Sequence, residues 1–154
     1  MKKIFPAILS FFVLLFSCSS CSKDDSKKQA ETDHKTIEDY VNTHKLNGQF
    51  TDSGIYYVVL NAGTENHPKL SSTVTVDYKG YFLNGTVFDQ GTNVTFPLAN
   101  VIMGWQEGLQ LIGNGGKVTL IIPSGLAYGS TQSGSIPANS VLGFDVSLHS
   151  FSGK

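Results

Sequence analysis

The sequence contains no arginine; all eleven of its strongly basic side chains are lysines. Arginine grips a phosphate or carboxylate at two points through a planar fork, and a lysine ammonium does not. Formal net charge is −1, and loss of Lys2 and Lys3 with a leader would leave nine lysines against twelve acids. Such a chain has no clustered basic face, so nucleic acid is not an expected partner. Cysteine is almost absent, confined to Cys18 and Cys21. A disulfide framework is therefore excluded. The histidines, His34, His44, His67 and His149, stand far apart without ligand spacing, so no zinc site is expected. The run Gly113 to Lys117 has Leu111 and Val118 where a phosphate loop needs glycine and Ser/Thr. No G-x-S-x-G elbow occurs either. Nucleophilic, metal and phosphoryl chemistry all lack a foothold, and no cofactor is expected.

Long apolar runs are also scarce. The one present, Ile4 to Phe16, follows Met-Lys-Lys and has thirteen residues. A bilayer span takes about 20, so this run reads as a secretory signal within residues 1–20. Both cysteines follow at once in "LFSCSSCSKDD". The pattern resembles a bacterial lipoprotein signal, in which a cysteine becomes the lipidated first residue. Cys18 has the better residues before it, Leu15 and Ser17, whereas "CSKDDS" after Cys21 resembles a tag for export to the surface of Gram-negative cells. Cys21 is favoured slightly as the lipid anchor, with Cys18 as the alternative. Acyl chains make such anchoring stable, at about 0.8 kcal/mol per buried CH₂. The expected location is the cell envelope, anchored to the outer membrane, on its periplasmic or outer face.

Residues 21–35 are polar and free of aromatics, and read as a flexible tether. A short helix is expected over 36–48, with Thr36 as N-cap and Ile37, Tyr40 and Val41 on one face. The folded domain then runs over 49–154. Strand patterns follow at Gly54 to Leu60 and in "TVTVDYKGYF", "KVTLIIP" and "VLGFDVSLHSF", with a hairpin turn at Asn84-Gly85. Their one-sided alternation predicts a sheet with one buried and one wet face. The apolar stripe Val101, Ile102, Trp105, Leu109 and Ile112, capped by Asn100, is the helix expected to cover it. Gly104 and Gly108 would let backbone or ligand approach that helix closely. The predicted class is α+β, an antiparallel sheet wrapped on one short helix.

Against these absences stands one unusual set. Tyr78, Phe88 beside Asp89, Trp105, Tyr128 and Phe144 come from separate elements, and converge if helix and sheet share one surface. "VDYKGYFLNGTVFDQG", "FPLANVIMGWQEGLQLIGNGGKVTLIIPSGLAYG" and "IPANSVLGFDVSLHSF" resemble, in matching order from about Thr51 to Phe151, the FKBP-type peptidyl-prolyl cis/trans isomerases. The resemblance implies an antiparallel five- to six-stranded half-barrel around a short helix. It implies a pocket with Trp105 as floor and Tyr78, Phe88, Val101, Ile102 and Phe144 as walls. Asp89 would be the polar group near the substrate, Tyr128 a hydroxyl donor at the rim, and Ile102 a backbone N–H donor to a substrate carbonyl. Ile136 would be the apolar flap of the loop.

The stretch "QGTNVT" after Asp89 is read as a short loop; it lacks the basic residue that often partners the aspartate, and Tyr78 is one candidate to orient Asp89. Val94 replaces a larger aromatic and lowers one wall. The implied activity is acceleration of Xaa-Pro isomerisation in proline-containing polypeptides during folding of envelope or surface proteins. Macrolides such as rapamycin are implied inhibitors. The alternative is a chaperone or surface lipoprotein that binds proline segments without turning them over. A monomer is expected.

Overall fold

The computed structural model describes residues 21–153. The signal-like run and Cys18 lie outside the described residues. In chain order the elements are α1 (Cys21–Thr43), β1 (Gln49–Phe50), β2 (Tyr56–Asn61), β3 (Thr73–Phe82), β4 (Val87–Pro97), α2 (Met103–Gly108), β5 (Lys117–Ile122) and β6 (Leu142–Ser152). Short 3-10 turns occupy Leu98–Asn100, Leu109–Leu111 and Ser124–Leu126. The described strands form one six-stranded sheet in the order β1-β2-β5-β6-β3-β4. Every neighbouring pair is antiparallel, which agrees with the expected α+β architecture.

The alternation read from β3, β5 and β6 is the one that builds the core. Val74, Val76, Val118, Leu120, Ile122, Leu142, Phe144, Val146 and Leu148 are buried in one cluster with Trp105, Leu109 and Ile112. Side chains two apart on a strand share a face, so each strand contributes its alternate residues. Register lines up the rows: Leu120 lies opposite Phe144, and Phe144 opposite Gly80.

The helix at the centre is shorter than its apolar stripe. Val101 is extended (φ −106, ψ 175), and Ile102 rather than Asn100 is the N-cap. The expected Asn100 side-chain cap is absent because the chain takes an extended step between the Leu98–Asn100 turn and α2. The Ile102 carbonyl accepts the N–H groups of Trp105 (2.9 Å) and Gln106 (3.1 Å). Gln106 Nε2 ties the step down, donating to the carbonyls of Ala99 (3.2 Å) and Val101 (2.8 Å).

Gly104 and Gly108 are four apart and share a helix face. That face lies directly on β5. A Cβ at Gly104 would sit 2.4 Å from Ile122 Cγ2, and one at Gly108 would sit 2.5 Å from Leu120 Cδ1. The close approach is thus to strand side chains, and Trp105 is turned toward the far end of the sheet.

α1 departs most from expectation. The segment read as a tether is helical, and α1 spans Cys21–Thr43 rather than 36–48. Its Lys, Gln, Ala and Glu content favours helix even without an apolar face. Thr36, expected as an N-cap, is mid-helix and its hydroxyl donates to the Thr32 carbonyl at 2.9 Å. Asp33, Ile37 and Val41 form a buried stripe at four-residue spacing. Ile37 and Val41 pack on Tyr56 and Ile121, on the sheet face opposite α2. The face expected to be wet is therefore partly covered, and β5 is buried on both sides near its end.

Adding a methyl at Gly104 should destabilise the fold more than adding one at Gly108. Ile122 Cγ2 branches at Cβ and cannot rotate away, whereas the Leu120 methyls are a flexible end. The expected cost of Gly104→Ala is about 1–3 kcal/mol of overpacking, reduced by the helix preference of alanine. Urea unfolding midpoints of the two variants check the order.

Candidate functional site

A cleft of about 330 Å³ opens where α2, the step before it and the β3–β4 end of the sheet meet. That volume lies at the low end of the roughly 300–1,000 Å³ typical of small-molecule sites. Trp105, only 5 % exposed, forms its floor. The indole makes edge-on contacts with Tyr78 (5.2 Å between ring centres) and Phe144 (5.4 Å), and a tilted one with Phe96 (5.7 Å). Its Nε1–H has no acceptor among the described residues, so packing alone holds the ring. Phe88 leans edge-on against Phe144 at 5.7 Å. Gly80 makes this possible: a Cβ there would lie 2.8 Å from both the Phe144 and Phe88 rings.

Phe88 and Asp89 are consecutive yet both line the cleft. A regular strand would send them to opposite faces. Register explains the exception. Gly80 pairs with Asp89 and Tyr81 with Val87, so Phe88 is the extra residue of a bulge. A bulge re-aims a side chain in this way. A second bulge lies between the pairs Val76–Val94 and Tyr78–Gly91. There Asn93 adopts φ 53, and its N–H donates to Asp77 Oδ1 at 2.8 Å. His149 Nε2 meets the same oxygen at 2.8 Å. The Asn93 bond first, and His149 second, hold the Asp77 carboxyl below its ordinary range. The stretch "QGTNVT" is accordingly strand with a bulge, not a loop. The bulge keeps Val94 and Phe96 on the cleft side in one phase and Asp89 in the other.

Polar groups sit on the rim. Tyr78 Oη donates to Asp89 Oδ2 at 2.7 Å, so the tyrosine takes the place of a basic partner. Burial, then the Asp89 bond and charge, push the Tyr78 phenol up to about 12. Burial and Asp89 likewise raise Tyr128 above its ordinary value. Both phenols therefore remain protonated donors at neutral pH. Among the described residues nothing accepts the Ile102 N–H, which stands at the mouth of α2 beside Val101.

Of the residues singled out in the sequence, Tyr78, Phe88, Asp89, Val101, Ile102, Trp105, Tyr128 and Phe144 all line this cleft. Ile136 does not. It is 6 % exposed and packs into the core, fixed by a mutual pair of backbone bonds with Ser133 (2.9 and 3.0 Å). The flap folds in on itself, which draws the isoleucine down. The Cys21 side chain lies outside what the structure describes. Phe96 and Asn100 line the cleft and were not anticipated. Phe96 shares the phase of Val94, but the bulge hides that phase from a period-two reading.

Residues 64–149 match the family model of FKBP-type peptidyl-prolyl cis-trans isomerases. The chain is 44% identical over 133 residues to the FKBP-type peptidyl-prolyl cis-trans isomerase FkpA of Aeromonas hydrophila, covering 82% of this chain and 50% of that protein. It is 42% identical over 135 residues to FkpA of Escherichia coli strain K12, covering 84% and 50%. The chain thus spans about half the length of these curated relatives. The crystal structure of FkpA from Escherichia coli superposes with a TM-score of 0.71 at 40% identity, covering 86% of this chain and 65% of that one. A peptidyl-prolyl cis-trans isomerase from Pseudomonas syringae pv. tomato superposes at 0.70 and 32% identity, covering 80% and 96%.

Raising a tyrosine's folded-state pKa favours its protonated form in the fold. Its stabilising contribution is complete below the ordinary value of 10.0 and is lost as pH climbs through about 12. Ultraviolet titration should show one phenol with a midpoint near 12. Asp89→Asn should lower that midpoint only partway, because burial is the larger cause. A return to the ordinary tyrosine value would contradict this assignment.

Proposed function

Because the chain belongs to the FKBP-type peptidyl-prolyl cis-trans isomerase family, we propose that it accelerates Xaa-Pro isomerisation in polypeptides of the cell envelope. The observation that carries this reading is the cleft itself. It has an indole floor and aromatic walls, with the Tyr78–Asp89 pair, the Tyr128 hydroxyl and the Ile102 N–H at its rim.

Such a cleft suits a reaction that breaks no bond. An Xaa-Pro bond isomerises unaided in tens to hundreds of seconds. The barrier of about 18–20 kcal/mol is the lost amide resonance. At the half-turned geometry the C–N bond is nearly single and the carbonyl is less polarised. Water favours the planar, more polar form; an apolar box removes that preference. The prolyl ring lies on Trp105, between Tyr78, Phe96 and Phe144. The Ile102 N–H holds a substrate carbonyl. Asp89, steadied by Tyr78, and the Tyr128 hydroxyl face the turning imide. A turnover of 10²–10³ per second needs about 10⁴–10⁵ acceleration, roughly 5.5–7 kcal/mol. One hydrogen bond made best to the twisted form contributes about 1–3 kcal/mol of it.

In this reading residues 49–154 are the isomerase domain, and a single chain is the working unit. Residues 1–20 are a lipoprotein signal, and Cys21 carries the acyl chains. Support for the anchor is the apolar run from Ile4 to Phe16 and the "CSKDDS" that follows it. On this basis Cys21→Ser should release the protein from the membrane fraction while Cys18→Ser does not.

The purified protein should speed cis-to-trans conversion of an Xaa-Pro test peptide, and rapamycin should inhibit it. Asp89→Leu should lower turnover about 10- to 100-fold, the equivalent of losing a charged hydrogen bond, with proline-ligand binding changed much less. Trp105 is the chain's only tryptophan, so its emission reads ligand occupancy directly. Ligand binding with no acceleration at any concentration would replace the enzyme by a binding module.

A further inference from the structure

Asp33 is the one buried carboxylate among the described residues, at 2 % exposure. It belongs to α1, outside the family-matched segment and outside the cleft. A carboxylate buried this far is expensive to desolvate unless it is fully bonded. Here it is. Oδ2 accepts both the backbone N–H (2.8 Å) and the hydroxyl (2.6 Å) of Ser124, and Oδ1 accepts Gln29 Nε2 at 2.7 Å. Ser124 is itself 1 % exposed.

Ser124 in turn anchors an arch. Its carbonyl accepts the N–H groups of Ala127 (3.0 Å) and Gly129 (2.8 Å), the residues on either side of Tyr128. Gly129 takes φ +65 to close the turn, and its carbonyl accepts the Asn139 N–H at 2.8 Å. Tyr128 is 40 % exposed, and its hydroxyl bonds to nothing among the described residues. Its aim at the cleft therefore comes from its backbone, and the backbone is pinned at Ser124. We propose that Asp33 is a positioning residue for the isomerase cleft, holding through Ser124 the arch that presents Tyr128. The N-terminal helix is then part of the working site, reaching it from the opposite face of the sheet. This rests on the isomerase reading above for its effect on catalysis, and on the bond chain alone for its effect on Tyr128.

Two measurements on the full-length protein test it. In Asp33→Ala, amide exchange at Ala127 to Gly129 should quicken about 10-fold or more, with β5 and β6 amides unchanged. The same substitution should lower kcat/KM about 3- to 10-fold in the native background and less than about 2-fold in Tyr128→Phe, because the two residues act in one chain. Ser124→Ala, which removes only the hydroxyl bond, should show the same pattern more weakly. It stands in for Asp33→Ala in both arms if that variant does not fold. Equal losses in both backgrounds, or unchanged exchange around Tyr128, would overturn the proposal. If the wild-type protein accelerates no peptide, the isomerase reading fails. The exchange arm then still decides whether Asp33 holds Tyr128.

Discussion

One contact organises this molecule: the two-glycine face of α2 pressed onto Ile122 and Leu120 of β5. No helix side chain intervenes there, so the helix backbone rests directly on the two strand side chains. Trp105, next along the helix from Gly104, is carried around to the β3–β4 side and meets Tyr78, Phe96 and Phe144. Interiors are packed like crystals, so a shift of α2 by one methyl would move the indole against all three rings. The cleft exists because the helix is short and tight on one side. A longer helix with bulkier residues would fill the space above the indole.

The walls depend on a different device. β4 slips phase twice, at Phe88 and near Asn93, and each slip turns a residue toward the cleft that a regular strand would send away. The first slip puts Phe88 and Asp89 side by side. The second is steadied by Asp77, which bonds Asn93 and His149 from the sheet's outer face. Electrostatics at the rim follow from the same geometry. Tyr78 and Asp89 come within hydrogen-bonding distance because Gly80 and Asp89 are paired, and the aspartate is oriented without any cation.

The outer face of the sheet has its own cover. Ile37 and Val41 of α1 close over Tyr56 and Ile121, while Asp33 reaches the turn that begins the Tyr128 arch. A helix that looks too polar to pack is held by one apolar patch and one buried carboxylate. Its remaining surface is solvated and stabilised by propensity and by neighbouring pairs such as His34 with Glu38.

Sequence alone determined what repeats or matches locally. The alternations of β3, β5 and β6 show which side chains face the core, the Asn84-Gly85 pair marks the hairpin, and the order of motifs marks the family. Eight residues that line the cleft were singled out on this basis. Only the tertiary structure decided the rest. Helix start, β4 phase, the burial of Ile136 and the partner of Asp89 each depend on contacts between residues far apart in the chain. Asp33 shows why most plainly. It stands at the right spacing from Ile37 and Val41, but a hydrophobic pattern counts a carboxylate as solvent-facing. What makes its burial favourable is Ser124, 91 positions away. A periodicity read along one segment has no knowledge of a donor that only folding brings near.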